Sequence, residues 1–351
     1  MGSRRETPTE ADVAALAGVS QSAVSRAFTP GASVAAETRR KILGAARRLG
    51  YHPNLIARAL SARRSNIVGL VARGLENPFY AQVVRELSER LSASGRHILL
   101  FTASAEEVPA KVIEPFLSYQ IDALVLAATS PTKPLIVQCR KTGVPVILVN
   151  RDTSFPGVST VRGQNRRAGT VAASFLVAGG HARFGFIGGP ETSSISGDRQ
   201  AGFEDEIRRL GGGAVAVRRG NYVFAGAQAA ARALLLQAPR PDAIFCASDY
   251  MAFAAIDVAR REFGLNVGTD LSIVGVDDVA EAAHAAYDLT TFAQPPAALA
   301  EATIAIIDAF MADPETEAQR REVPGELIVR GSARLPPRGI VQDHDNRIWR
   351  G

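Results

Sequence analysis

The stretch Thr9-Glu10-Ala11-Asp12-Val13-Ala14-Ala15-Leu16-Ala17-Gly18-Val19-Ser20-Gln21-Ser22-Ala23-Val24-Ser25-Arg26 constrains this chain more than any other. Thr9 can cap a helix whose apolar positions Val13, Leu16 and Ala17 recur at i, i+3 and i+4, and Gly18 supplies a turn that a side chain would strain. Ser20 then caps a second short helix. Its Val24 and Phe28 turn inward, while Gln21, Ser22, Ser25 and Arg26 face outward, a set of hydrogen-bonding groups suited to base edges and phosphates in a major groove. The pattern reads as a helix-turn-helix, although spacing alone also fits a helical hairpin at the edge of a larger fold. A third amphipathic segment, Glu37 to Leu49, places Ile42, Ala45, Ala46 and Leu49 inward and Arg39, Arg40, Lys41, Arg47 and Arg48 outward, and stops at Gly50. Three such helices can close one small core.

Charge is divided unevenly. Residues 1–65 carry 11 Lys+Arg against 4 Asp+Glu, and the rest of the chain carries 29 against 31. A basic N-terminal module on a slightly acidic body is the electrostatic footprint of one end meeting phosphate; a solvated basic face is the bland alternative. At 351 residues the chain has room for two or three domains. No run approaches the roughly 18 apolar residues of a membrane span, and Arg4 and Arg5 have no hydrophobic segment behind them, so the expected location is cytoplasmic. Cys139 and Cys246 lie in apolar segments and read as buried reduced thiols. The five histidines show no metal-ligand spacing, and no metal or cofactor is expected.

After Gly50, Tyr51-His52-Pro53 is an extended connector. Asn54 caps a segment from Leu55 to Ala62 that is too short for a stable isolated helix. From Asn66 the texture becomes strands alternating with helices. Ile67 to Val71, His97 to Thr102, Ile121 to Ala127, Val144 to Val149 and Val158 to Val161 form one set. Phe184 to Gly188, Val215 to Val217, Ala243 to Ala247 and Leu271 to Val276 form a second. Continuous apolar runs separated by helices predict an α/β body of two doubly wound parallel sheets, bilobed, with residues at the carboxyl ends of the strands lining the cleft.

The N-terminal residues resemble a known family. Asp12-Val13-Ala14, Ala17-Gly18-Val19-Ser20, Val24-Ser25-Arg26, Thr38-Arg39, Leu49-Gly50-Tyr51, Pro53-Asn54 and Ala57-Arg58-x-Leu60 are similar, in order, to the DNA-binding headpiece and hinge of the lactose-repressor (LacI) family of transcription regulators. Thr29 and Ala23 depart from the common pattern and bear on the operator sequence rather than on the fold. The body resembles the sugar-binding domain of the same family and periplasmic sugar-binding proteins through Asn77-Pro78-Phe79-Tyr80, Val149-Asn150-Arg151, Asp198-Arg199, Gly202-Phe203, Ser248-Asp249, Met251-Ala252, Val274-Gly275, Asp277-Asp278 and Gln294-Pro295.

The resemblance implies a headpiece over 1–52, a hinge helix and linker over 53–65, and a bilobed effector-binding and dimerisation domain over 66–337. Lobe one is expected at 66–161 and about 293–326, lobe two at about 162–291 and 327–337. Two headpieces of a homodimer then read a near-palindromic double-stranded operator through Thr9, Ser20, Gln21, Ser22, Ser25 and Arg26. Asn54, Ala57, Arg58 and Leu60 act in the hinge, with Leu60 wedged into the minor groove. A small sugar-like effector between the lobes controls that affinity.

For the effector the resemblance implies Phe79, Tyr80 and Tyr222 as aromatic faces, Arg151 and Arg199 as donors, and Asn150, Ser248, Asp249, Asp277 and Gln294 as groups that fix hydroxyls. Arg199 and Asp277 rank first. A strand-end aspartate can instead cap the next helix and an arginine can bridge loops, and such a structural alternative is strongest for Asp249 and Asn150. Ser248, and Arg162-Gly163-Gln164-Asn165 after the strand, depart from the family pattern, and the extra positive charge at Arg162 suggests a bulkier or anionic ligand.

The tail over 338–351 is polar and reads as disordered, without apolar heptads for a coiled coil, although Ile340, Val341 and Trp349 leave room for docking. No nucleotide-binding glycine loop, nucleophile elbow or acid/base pair supports an enzyme. A transport-type solute-binding protein has no use for a basic headpiece.

Overall fold

The computed structural model describes residues 8–29, 32–52, 65–103, 107–108, 114–344 and 346–351. Its chain divides into two units, Met1–Ser65 and Asn66–Gly351. Asn54, Ala57, Arg58 and Leu60 lie outside the described residues.

In the first unit, α1 (Glu10–Ala17) starts with a reciprocal capping box. The Thr9 hydroxyl accepts from the Asp12 N–H, and the Asp12 carboxylate accepts from the Thr9 N–H at 2.8 Å, which holds the Asp12 carboxyl below its usual range. Gly18, at φ 67°, ends α1 and lets Val19 N donate back to the Ala14 carbonyl at 3.0 Å. Helices α2 (Gln21–Phe28) and α3 (Ala36–Leu49) complete a core of Val13, Ala14, Val24, Ala27, Ile42, Ala45, Ala46 and Tyr51.

Two sequence expectations change here. Leu16 is 43% exposed, and Ala14 takes the inward place assigned to it. Arg39, expected among the outward cations, reaches from α3 to the carbonyls of Ala27 (2.6 Å) and Ala32 (2.9 Å) and so ties the α2–α3 connection down.

The second unit runs β1 (Ile67–Ala72), α4 (Pro78–Ala93), β2 (His97–Thr102), β3 (Glu107–Val108), α5 (Glu114–Ser118), β4 (Ala123–Ala127), β5 (Ser130–Pro131), α6 (Lys133–Thr142), β6 (Val146–Val149) and β7 (Val158–Gly163). It continues through α7 (Asn165–Ala178), β8 (Phe184–Gly188), α8 (Ser194–Arg209), β9 (Val215–Arg219), α9 (Phe224–Leu235), β10 (Ala243–Cys246), α10 (Asp249–Arg261), β11 (Ser272–Asp277) and β12 (Thr290–Ala293). It closes with α11 (Pro296–Ala312), β13 (Arg320–Val323), β14 (Leu327–Ile328), β15 (Ile340–Asp343) and β16 (Asn346–Trp349).

The first lobe holds a six-stranded parallel sheet in the order β13-β7-β6-β4-β1-β2. Both of its faces are covered, which is why its strands read as unbroken apolar runs. Along β4, Ala123, Val125 and Ala127 face one core cluster, and Leu124 and Leu126 face the other. The second lobe holds an eight-stranded sheet, β15-β16-β14-β12-β11-β10-β8-β9, parallel from β12 to β9 and antiparallel at the opposite edge.

The chain passes between sheets three times: from β7 to α7, from β12 to α11, and from β13 to β14. Two of these passages touch, because Ala293 N donates to the Glu326 carbonyl at 2.8 Å.

The tail corrects a sequence expectation. Strands β15 and β16 pair antiparallel and are joined to the sheet through Ile348 opposite Ile328 and a 2.7 Å bond from Val329 N to the Arg347 carbonyl. Trp349 packs edge-on against Phe175 of α7 at 5.8 Å. A polar sequence hid this because β15 lies at the sheet edge, where one strand face meets water. Cys139 and Cys246 are buried free thiols. Among the described residues no helix is long and apolar enough to cross a membrane.

Candidate DNA-binding and effector sites

On α2 the exposed side chains are Gln21, Ser22 and Arg26; Ser25 is half-buried. Ser20 caps the helix by accepting from Ala23 N at 3.3 Å, and its hydroxyl lies 3.0 Å from that of Ser22. Arg26 lies back along its own helix, its Nε on the Ser22 carbonyl at 3.2 Å. Thr9 and Ser20 thus hold the two helix starts, and Gln21, Ser22 and Arg26 leave hydrogen-bonding groups exposed on α2.

In the body a cleft of ≈ 620 Å³ is lined from both lobes. Lobe one contributes Arg73, Gly74, Glu76, Asn77, Phe79, Tyr80, Ala128, Asn150 and Arg151. Lobe two contributes Ser193, Ile195, Arg199, Asn221, Tyr222, Val223, Ser248 and Asp277. Eight of the ten expected effector residues are therefore brought together here. Asn77 starts α4 by accepting from Phe79 N at 3.1 Å, which sets the Phe79 and Tyr80 rings at the wall, edge to face at 5.2 Å.

Arg199 is placed by helix packing. Helices α7 and α8 approach so closely that a Cβ on Gly169 would lie 2.1 Å from the Arg199 carbonyl, and one on Gly202 would lie 2.0 Å from the Arg166 carbonyl. The Arg199 side chain is buried, donates from Nε to Asn165 Oδ1 at 2.9 Å and from Nη1 to the Ala247 carbonyl, and leaves Nη2 without a hydrogen-bond partner among the described residues. Asn165 is itself held by a 2.9 Å bond from Nδ2 to the Gly163 carbonyl.

Asp277 ends β11 with φ 128°, and Asp278 follows at φ 57°. Burial pushes the Asp277 carboxyl up to about 7, against the pull of Arg199 and of hydrogen bonds from Gln294, the Asp249 backbone and Asn77. Tyr80, its hydroxyl 3.4 Å from Asn150 Nδ2, is pushed up to about 12, also by burial. Asn150 Oδ1 has no partner among the described residues. Arg151 donates to the Ala128 carbonyl at 3.3 Å.

Five cleft residues other than glycine have positive φ: Ala128, Asn150, Asn221, Tyr222 and Asp277. Such conformations cost energy and persist where surrounding structure holds them, and they concentrate at binding sites.

Two expected ligand residues do not line the cleft. Asp249 faces the interior, where Oδ1 accepts from the Thr291 hydroxyl at 2.5 Å and Oδ2 from Val279 N at 3.0 Å; burial raises its carboxyl well above the usual range. It ties β10, β12 and the turn after β11 together. Gln294 stands behind Asp277, donating from Nε2 to Oδ1 at 2.8 Å. The charge of Arg162, expected to favour an anion, is spent on Asp152 (3.0 Å), Asp198 (3.0 Å) and Glu322 (2.9 Å), and Arg162 does not line the cleft. Sequence reasoning missed Arg73, Glu76, Ser193, Ile195, Asn221 and Val223 as lining residues. The position of Arg73 directly after β1 was the available signal.

A helix-turn-helix unit and a two-lobed body with a polar cleft between parallel sheets define a DNA-binding regulator built on a solute-binding fold. Residues 10–54 match the model of bacterial regulatory proteins of the lacI family, and residues 173–333 match the periplasmic binding protein-like domain. The chain belongs to the LacI family of transcriptional regulators.

It is 31% identical to the HTH-type transcriptional regulator CelR of Thermobifida fusca, over 94% of this chain and 99% of that one. It is 30% identical to the HTH-type transcriptional repressor CytR of Escherichia coli K12, over 93% and 96%. Among solved structures, the CelR–cellobiose complex superposes with a TM-score of 0.69 at 30% identity, covering 93% of this chain and 100% of that one. The Lac repressor dimer bound to operator and the anti-inducer ONPF superposes at 0.81 with 23% identity, covering 93% and 99%, a likeness of fold.

Proposed function

We propose that this regulator acts as a homodimeric repressor whose operator affinity is set by a small polyhydroxylated effector held between the lobes. The observation that carries this reading is the cleft wall itself. Buried Arg199 and Asp277 from lobe two face Asn150 and the Phe79–Tyr80 rings from lobe one, with Arg199 Nη2 and Asn150 Oδ1 without hydrogen-bond partners among the described residues. Polar atoms buried without partners are costly, and a ligand bearing hydroxyls on an apolar ring supplies both the missing hydrogen bonds and a face for the aromatics. CelR, solved with cellobiose, supports a sugar as the effector class.

A dimer follows from energetics: one headpiece buries too little surface for tight specific binding, whereas two on one body gain from effective concentration. Gln21, Ser22 and Arg26 of each copy then read one half-site, and the hinge residues Asn54, Ala57, Arg58 and Leu60 act at its centre. Ligand shifts the DNA-binding equilibrium only through its differential affinity for two arrangements of the lobes, which the three strand crossings allow. Such a regulator works in the cytoplasm, where its operator is.

The test is thermal unfolding of the purified protein against sugars, sugar acids, sugar phosphates and nucleosides. An effector at a hundredfold its Kd adds about 2.7 kcal/mol of stability. Arg199→Ala and Asp277→Ala should abolish the gain; a gain that survives both substitutions contradicts the assignment of the cleft.

A further inference from the structure

Resting on the reading of two lobes that move about the cleft, we infer that Arg162 is a charged latch: anchored on lobe one, it grips lobe two through Asp198 and so favours the arrangement in which the lobes are drawn together.

Arg162 lies near the end of β7, in the sheet of lobe one, just before α7 carries the chain into lobe two. Two of its three acids belong to lobe one. Glu322 stands opposite Arg162 on the paired strand β13, and Asp152 follows β6, where Arg320 (2.6 Å) and the Thr153 N–H (2.8 Å) fix it. These bonds stay within one lobe: they hold the guanidinium in place but cannot hold the lobes together. The third bond leaves the lobe, running from Arg162 Nη1 to Asp198 Oδ2 at 3.0 Å.

Asp198 sits on α8, directly before Arg199. The start of that helix supplies Ser193, Ile195 and Arg199 to the cleft, and its close packing on α7 at Gly169 and Gly202 makes it move with lobe two. A pull on Asp198 therefore acts on the lobe-two wall of the cleft. Since Arg162 is already ordered by two acids on its own side, reaching Asp198 costs little further side-chain entropy, the term that leaves most partly exposed ion pairs weak. Neither Arg162 nor Asp198 lines the cleft, so the latch biases its opening without touching an effector.

The test uses the full-length protein without added ligand and Ala128→Cys as reporter. Ala128 is 6% exposed and lines the cleft from lobe one, so a thiol there meets iodoacetamide when the lobes part. The native thiols of Cys139 and Cys246 are buried away from the cleft and react when the protein unfolds. Mass spectrometry follows all three. In the reporter background, Asp198→Asn should speed alkylation at position 128 about two- to fivefold, the factor a partly exposed ion pair supplies, with Cys139 and Cys246 unchanged. Glu322→Gln should leave it near the rate of the reporter alone, because that arm stays within lobe one. Raising the salt concentration should speed it with Asp198 present and have little effect in Asp198→Asn.

Equal rates with and without Asp198→Asn, a like acceleration in Glu322→Gln, a salt response that survives Asp198→Asn, or a matching acceleration at Cys139 and Cys246 overturns the latch and leaves the sugar reading standing. A reporter thiol that reacts as fast as a free cysteine while Asp198 is intact overturns both, because the lobes then do not close on the cleft.

Discussion

Gln294 Nε2 donates a 2.8 Å hydrogen bond to Asp277 Oδ1, so the residue that leads the chain out of lobe two also orients the buried acid of the cleft. Gly163, at the first lobe crossing, touches the same amide: a Cβ there would lie 2.2 Å from Gln294 Oε1. The two crossings and the ligand acid are thereby in contact. Gln294→Ala should weaken effector binding by about 1–2 kcal/mol with the fold retained, because Asp277 loses a fixed donor. Isothermal titration with a ligand found by the thermal screen checks it; unchanged affinity would contradict a positioning role for Gln294.

Stability should depend on pH through the buried acids. The folded Asp277 carboxyl titrates at about 7 against an ordinary 3.8, and Asp249 is raised in the same sense. The native state keeps protons that the unfolded chain has lost, so this contribution is full below about pH 4 and disappears as pH rises through about 7. Asp12, Glu206 and Glu262, held low by hydrogen-bond partners, act with opposite sign as the pH falls. The readout is therefore the difference between wild type and Asp277→Asn: melting temperature between pH 5 and 8 should fall less steeply with pH in the variant.

Arg162 ties the lobes together. It reaches Asp152 and Glu322 in lobe one and Asp198 in lobe two, each at 2.9–3.0 Å. Arg162→Met should cost roughly 1–2 kcal/mol, since it leaves three partly exposed acids close together, and should alter ligand affinity without removing a cleft residue. Arg162→Lys should rescue little, because one ammonium cannot satisfy a forked arrangement of three carboxylates. Chemical denaturation and titration of the two variants measure both effects.

In the headpiece, Arg39 and Gln21 should separate affinity from specificity. Arg39→Met removes the bonds to the Ala27 and Ala32 carbonyls that set α2 against α3, and should weaken binding on every DNA sequence alike. Gln21→Ala should cost about 1–3 kcal/mol on the preferred site and relax the preference at one base pair per half-site. Selection from randomised duplexes with each variant distinguishes the two patterns.

Local signals carried most of the fold. Thr9, Gly18, Ser20 and Gly50 mark helix ends by chemistry acting within a few residues, and all four stand at the expected caps. Strands β1, β2, β4 and β6 to β11 announced themselves as apolar runs between helices. What stayed hidden depends on distant partners. Residues 290–293, 320–323 and 327–328 become strands only because a neighbouring strand waits for them, and the β15–β16 pair needs the edge of β14 and the ring of Phe175.

At the site, strand ends pointed to the cleft, but not to which of two adjacent polar groups faces it. Asp249 already ranked below Asp277 in sequence, but only the Thr291 hydroxyl and Val279 N–H show it occupied by the interior. Arg162 read as spare charge for the same reason: its three acids lie 10, 36 and 160 residues away in the chain.

Ligand bound in the cleft should control DNA binding. The most direct measurement is fluorescence anisotropy of the full-length protein on a selected operator duplex, with and without a saturating ligand from the screen, for wild type, Arg199→Ala and Asp277→Asn. Ligand should shift the operator Kd of the wild type, while both variants bind operator as the unliganded protein does and no longer respond. A ligand that binds the cleft yet leaves the operator Kd unchanged, or a response that persists in both variants, would contradict it.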